Sequence, residues 1–430
     1  MGHSSGTNLF SLAEDVDLWR LRRDSAQHPR EGNFWRIGRT IMDFRLTEEQ
    51  RLLKDTLARL LAELYTFDRR KCYQLEADGW SRVVWARLAD LGILGSSLPE
   101  RFGGTGGGPV ETMIIMNAIG RCLLLEPFFA TVVLGGNLLS LGANEAQKAQ
   151  LLPALASGKL LLAFAHTERH SRYDLANVGT RARRDGSQWV LNGEKCVVLH
   201  GDVAGKLLVS ARSGGTDQYD EDGISLFLVD AELSGVRRTG YRTQDGLRAA
   251  SVSLTDVRLS SDALVGSAGA AFPLIEEVAH QGIAAVCAEM VGAMEEMHEQ
   301  TVEYLKTRVQ FGATLSKFQV LQHRAVDMLM AVEQARSMAM FATMMLGEKG
   351  SAERRRAMSA AKIQVGRSSR FVGQQAIQLH GGIGMTMDCK IGHYFKHATL
   401  LDLQFGGADL HLQELAEMGG LTPRVLPLPE

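Results

Sequence analysis

The sequence predicts an α+β chain, mainly α, in which two helical regions flank a smaller antiparallel β domain. Three observations predict it. Apolar residues recur every three or four positions from Thr47 to about Gly158. The period then shortens to strand-like runs between about Leu161 and Val265, and helical spacing returns beyond about Ala271. Within the middle region, Asp185-Gly186 and Asn192-Gly193 are hairpin-turn signals.

Residues 1–41 carry Ser, Gly, His and many arginines without sustained periodicity, and read as a flexible N-terminal extension. Leu18, Leu21, Phe34 and Trp35 are the apolar residues through which it could dock. A helical domain is expected over 42–160. Thr47 with Gln50 fits a capping box, and Leu53, Leu57, Leu60 and Leu64 form the buried stripe. The glycine-rich stretch Leu98–Gly108 lacks GxxxxGK[ST] and GxGxxG spacing, so it reads as a flexible connector rather than a phosphate cradle. The β domain is expected over 161–270, with strands at Trp189–Leu191, Lys195–Leu199, Leu207–Ala211, Ile224–Val229 and Ser251–Leu254. A helical C-terminal domain follows over 271–415, and 416–430 is a tail.

Composition excludes several classes. The chain has 430 residues, 45% hydrophobic and 22% charged, as a soluble protein with ample cores does. A net charge of −2 gives no footprint for nucleic acid or an anionic membrane. The most lipid-like run, Leu123–Leu141, is interrupted by Glu126, Pro127 and Asn137, and reads as a buried helix. Cys72, Cys122, Cys196, Cys287 and Cys389 are scattered without a CxxC pair, which points to reduced thiols in the cytoplasm and to no metal site. Glu14, Asp15 and Asp17 break the first apolar positions, against a secretory signal.

The chemistry is expected where two long helices meet. Ile283, Cys287, Met290, Met294 and Met297 form one apolar stripe, and Ala325, Met328, Val332, Ala335, Ala339 and Ala342 another. Between them stand Arg308, Phe311, Gly312 and Gln319. A guanidinium fork suits a pyrophosphate, a ring suits a flat heterocycle, and an amide can bond a nucleotide edge. Taken alone, this is a helical corner with a solvated arginine.

It is not alone. Arg308-Val-Gln-Phe-Gly312, Phe318-Gln319, Gln378-Leu-His-Gly-Gly-Ile-Gly-Met385, Leu98-Pro-Glu-Arg-Phe-Gly-Gly104 and Thr167-Glu168 stand together in one chain. In that order and spacing, from Met42 to the C-terminal tail, the pattern resembles the acyl-CoA dehydrogenase family. The resemblance implies an N-terminal helical domain, a middle β barrel and a C-terminal four-helix bundle. It implies FAD, an acyl-CoA substrate and an electron-transfer flavoprotein as acceptor. In the resembled enzymes a carboxylate removes the α-proton of the thioester while flavin N5 takes the β-hydride. Carried over, Arg308, Phe311 and Gln319 match positions that hold the adenine and diphosphate end of a neighbouring subunit's flavin. Gln378, Gly381 and Gly382 match the loop that closes over it. Phe164, His166 and Thr167 match the strand that bonds the flavin ring.

The sequence departs from the family at the catalytic centre. The usual Trp-Ile-Thr or Trp-Ile-Ser reads Val197-Val198-Leu199, and the Gly-Ser before Asp174 reads Arg172-Tyr173. The two places where family members carry their base are Phe405 and Gly282, neither of which can take a proton. Glu289 and Asp402 are the nearest acids, with a capped core acid and a surface acid as the plainer readings. Tyr173-Asp174-Leu175, Val198-Leu199-His200-Gly201 and Phe405-Gly-Gly-Ala-Asp-Leu-His411 resemble the small, base-lacking subunits of heteromeric enzymes, such as the pimeloyl-CoA and paired steroid side-chain types. Three functions follow: a subunit active beside a homologous base-bearing partner; a homo-oligomer with a relocated base, or a flavin monooxygenase on the same fold; or a non-catalytic assembly subunit.

Overall fold

The computed structural model describes residues 45–215, 217–348 and 350–419. The expected extension over 1–41 lies outside them, as does the tail after Gly419.

The first helical region is α1 (Glu48–Leu64), α2 (Phe67–Tyr73), α3 (Arg82–Asp90) and α4 (Pro109–Cys122). A π-helical segment, Phe129–Gly136, follows, then α5 (Asn137–Gly142) and α6 (Glu145–Ala156). Thr47 caps α1 as its sequence asks: Gln50 N donates to Thr47 Oγ1 at 3.2 Å, and Thr47 N donates to Gln50 Oε1 at 3.0 Å. Leu57 and Leu61 are buried, with Leu53, Leu60 and Leu64 against the same core. The glycine-rich stretch is not the flexible connector expected. It folds back on itself through Thr105 N to Gly95 O (3.1 Å), Gly106 N to Leu98 O (3.0 Å) and Gly107 N to Ser96 O (2.8 Å).

The middle region is an eight-stranded sheet: β1 (Leu162–Ala165), β2 (Arg181–Asp185), β3 (Gln188–Leu199), β4 (Lys206–Arg212), β5 (Ile224–Asp230), β6 (Val236–Arg242), β7 (Arg248–Ser260) and β8 (Leu264–Val265). Its order is β6-β7-β3-β2-β4-β5-β8, with β1 parallel to β4 and most other pairs antiparallel. Asp185-Gly186 makes the β2–β3 turn, with Gly186 at φ 61°. Asn192-Gly193 makes none, correcting the sequence reading: β3 runs straight through it with a shift of register against β7. Asn192 spends its amide on Asp256, giving Nδ2–H to Oδ1 at 3.0 Å and taking Asp256 N–H at 2.9 Å. Gly193 is needed for close approach, since a Cβ there would lie 2.5 Å from Thr180 Oγ1.

The C-terminal region comprises α7 (Phe272–Thr307), a two-stranded hairpin of β9 (Val309–Gln310) and β10 (Ala313–Thr314), α8 (Gln319–Met345), α9 (Ser351–His380), α10 (Lys390–Leu403) and α11 (Ala408–Glu417). Every residue of the two predicted stripes on α7 and α8 is buried. Among the described residues, no helix is long and apolar enough to cross a membrane, and no cluster of ligating side chains could hold a metal ion.

Candidate functional site

The helical corner comes first. Register in the β9–β10 hairpin leaves Phe311 and Gly312 as a two-residue turn with φ of 53° and 76°. Glycine takes that backbone freely, whereas phenylalanine takes it at a cost. Phe311 is nevertheless 90% exposed, paired edge-to-face with the Phe318 ring at 6.2 Å between centroids. Arg308 and Gln319 are exposed beside it. The end of α9 is held against this corner by two contacts. Tyr304, in the last turn of α7, stacks on His380 at 4.4 Å, and Arg324 donates to Gln375 Oε1 at 3.3 Å. Exposed Gln378, Gly381 and Gly382 thereby reach the same end of the bundle, where a Cβ on either glycine would meet nothing within 4 Å. A free guanidinium, an open ring face and bare backbone are the parts needed to hold a phosphate-linked heterocycle.

The β domain supplies the second group. Phe164 and His166 stack at 5.2 Å with planes 17° apart. Burial pushes His166 down to about 3, so its ring is neutral, and Nδ1 lies 2.9 Å from Ser210 Oγ. Beneath it Lys195 is wholly buried, donating to Glu168 Oε1 (2.6 Å), His166 O (3.1 Å) and Ser210 Oγ (3.1 Å). Burial lowers Lys195 to about 8, while Glu168 opposes that shift. Thr167 is half-buried, and its carbonyl accepts from Cys196 N at 2.8 Å, tying the end of β1 to β3. One residue further, β3 bulges, leaving Val197 at φ 51° and 52% exposed. A β-branched residue in the left-handed region is a genuine outlier, and such strain gathers at functional sites.

Phe405 and Gly282 turn out to face each other. A Cβ on Gly282 would lie 2.8 Å from Phe405 Cε2 and Cζ, and 3.2 Å from Leu134 Cδ2. The phenyl ring thus fills the space beside α7 and meets Phe129 edge-on at 6.4 Å. The Phe405 carbonyl lies 3.0 Å from His411 Nε2, and Lys362 donates to the carbonyls of Leu401 (3.0 Å) and Asp402 (2.8 Å) just before it. The other two acids are elsewhere engaged. Glu289 is buried with Oε1 2.9 Å from His397 Nε2. Asp402 is buried too, correcting its reading as a surface acid; Arg370 approaches its Oδ2 at 3.6 Å. Sequence reasoning missed the Lys195–Glu168 pair and His397, whose partners are distant in the chain, and His411, which bonds Phe405 O and Glu414 nearby as well as Ser359. A separate cleft of about 170 Å³, between α4, α5, α7 and α8, is lined by none of the predicted site residues.

The chain thus has two helical regions flanking a sheet, an exposed corner of Arg308, Phe311 and Gln319 on the C-terminal helices, and a strained Val197 on β3. Comparison with known proteins makes this specific. Family models for the acyl-CoA dehydrogenase N-terminal, middle and C-terminal domains match residues 47–159, 163–260 and 269–419. The chain belongs to the acyl-CoA dehydrogenase family. It is 28% identical over 382 residues to acryloyl-CoA reductase (NADH) of Anaerotignum propionicum, covering 86% of this chain and 94% of that one. Among solved structures, a variant of the Tcur3481-Tcur3483 steroid ACAD is similar at a TM-score of 0.78 and 28% identity, over 86% of this chain and 97% of that one. An FAD-dependent dehydrogenase is similar at a TM-score of 0.79 and 25% identity, over 88% of this chain and all of that one.

Proposed function

We propose that this chain is the base-lacking subunit of an FAD-dependent acyl-CoA dehydrogenase, acting on an acyl-CoA thioester beside a homologous subunit that supplies the carboxylate. The observation that carries the reading is Phe405 packed on Gly282: one ring closes both positions where the family places its base. The same chain keeps an exposed corner of Arg308, Phe311, Gln319, Gln378, Gly381 and Gly382. Its free guanidinium and open ring fit the diphosphate and adenine of FAD, and their full exposure suits a cofactor shared with a neighbour. Bound FAD supplies the hydride acceptor. Arg308 holds negative charge, Phe311 offers its ring face, and the glycine loop lets backbone approach. Phe164 on β1 and His166 and Thr167 just beyond it form the segment expected to face a flavin ring, and the Phe405 side chain carries no group that could move a proton. The steroid ACAD, whose name joins two proteins, supports a paired assembly. An electron-transfer flavoprotein is the expected acceptor.

The test is electron transfer from a panel of acyl-CoA thioesters to an artificial acceptor, for the single chain and for the chain co-purified with a base-bearing homologue. General-base catalysis contributes about 10²–10⁴-fold, so the pair should exceed the single chain by at least that range. Robust turnover by the single chain with FAD bound would overturn the proposal in favour of a self-sufficient homo-oligomer.

A further inference from the structure

His397, in the middle of α10, stands between two carboxylates. Nδ1 is 2.8 Å from Asp245 Oδ2, in the turn between β6 and β7, and Nε2 is 2.9 Å from Glu289 Oε1 on α7. The three side chains are only 2%, 2% and 6% exposed. From the first helical region, Arg70 of α2 donates to Asp245 O at 2.7 Å and to Leu123 O at 2.7 Å. Four charged residues from the three regions of the fold thus meet in one buried cluster.

The geometry fixes the charge state. A neutral imidazole has one N–H and one lone pair, and ionised carboxylates only accept. With both carboxylates ionised and an oxygen of one at hydrogen-bond distance from each ring nitrogen, both nitrogens donate, and the ring is an imidazolium. The balance of charge agrees: Asp245 and Glu289 are matched by His397 and Arg70. The other titratable groups around the cluster are held neutral near pH 7: burial lowers His200 to about 4 and lowers His393, and burial raises the pKa of Tyr65, Tyr394 and Cys122.

We propose that His397 is a positioning residue, an ionic clasp whose positive charge holds the β6–β7 turn and α7 onto α10, and whose discharge frees that turn. The clasp frames the region argued above to bear the chemistry. Leu199, at the end of β3, pairs with Ala249 just past the turn, and α10 runs into Phe405. The proposal holds whichever cofactor or partner the chain takes.

The pH dependence has a definite sign. Burial opposes the charge on His397, but the hydrogen bonds to Asp245 and Glu289 outweigh it and raise the group to about 9 from an ordinary 6.5. A group raised on folding stabilises fully below its unfolded value and loses that contribution as pH climbs through its folded one. The clasp therefore holds in full below about 6.5, weakens as pH climbs from there to about 9, and contributes nothing above it.

Hydrogen–deuterium exchange of the full-length chain from about pH 5 to 10.5, expressed as protection factors, tests this. Segments 243–248 and 390–403 should be level below about pH 6.5, lose protection by up to about tenfold per unit between about 6.5 and 9, the slope of one proton, and level off above about 9. Segment 351–380 of α9 should show no break there. The Asp245→Asn/Glu289→Gln variant keeps amide groups at both positions without their charge, and its break should vanish. Loss of protection spread evenly over all segments, or no break in the wild-type chain, would overturn the clasp. A break unchanged in the double variant would overturn it as well. The wild-type profile decides alone if the variant does not fold.

Discussion

Phe311 and Phe405 share a residue type and a backbone conformation, with φ of 53° and 57°, and differ in everything around them. Phe311 projects from a hairpin turn, 90% exposed. Phe405 is half-buried, its ring against Gly282 and Phe129 and its carbonyl at His411. Both sites hold a strained residue, since the left-handed region costs an L-residue roughly 1–2 kcal/mol. At Phe405 local packing offsets that cost. At Phe311 the ring contact among the described residues is the edge-to-face one with Phe318, and the ring is otherwise open to solvent. The comparison contrasts a strained phenylalanine packed within the chain with one left open to solvent.

The largest expected effect tests the packed position. Gly282→Glu puts a side chain where Phe405 already stands, 2.8 Å from its Cβ. Overpacking costs typically about 1–3 kcal/mol, and a buried carboxylate without a partner adds to that. A loss of at least about 3 kcal/mol in urea unfolding is expected from these two terms together. Adding Phe405→Ala should recover part of it by making room. An unchanged midpoint for the single variant would show that the ring swings away freely, and the contrast with Phe311 would fail.

Arg308→Ala should leave the unfolding midpoint within about 0.5 kcal/mol of the parent, as surface substitutions do. Its effect belongs to the ligand. A hydrogen bond to a charged group contributes about 1.5–3 kcal/mol, so FAD retention by the assembled enzyme should weaken roughly ten- to 150-fold on that range. The flavin-to-protein ratio after gel filtration measures it. An unchanged ratio would leave Arg308 a solvated corner residue.

What was legible in the sequence follows the range of the interactions involved. The capping box at Thr47 spans four residues, and the stripes of α7 and α8 repeat within one helix, so both are written locally. Asn192-Gly193 misled for a related reason. The dipeptide is a turn signal by itself, yet Asp256, 64 residues away, takes the asparagine side chain and leaves the strand continuous. The glycine-rich stretch was likewise read by composition, while its backbone bonds return to Gly95, Ser96 and Leu98. The corner was readable because its parts are compact motifs. The His397 cluster was not, as its partners lie 108 and 152 residues away and no single acid announces which histidine it will meet. The facing of Phe405 on Gly282 was hidden in the same way. In the sequence the two residues stand 123 positions apart, and only the fold showed that the Phe405 ring occupies the space beside Gly282.

The smallest effect is the sharpest test, because its sign differs between the two phenylalanines. Phe311→Gly removes a ring that buries almost nothing and relieves a left-handed residue, so the isolated chain should gain about 0.5–1 kcal/mol. Part of the relief is lost to the greater freedom of glycine in the unfolded chain, which keeps the gain below the full left-handed penalty. Phe405→Gly relieves the same strain but empties packed space. Truncating a buried phenylalanine costs about 3–5 kcal/mol. For a half-buried ring less the relieved strain, a net loss of roughly 1–2 kcal/mol remains. Parallel thermal melts of the two variants should therefore move in opposite directions. The stabilised Phe311→Gly chain should also hold FAD less well in the assembled enzyme, the usual trade between stability and a strained functional residue. If both variants are destabilised, Phe311 has a packing partner within the chain. If Phe311→Gly is stabilised with its flavin content unchanged, the strain at the corner serves neither stability nor the cofactor, and the case for a retained FAD-binding corner falls with it.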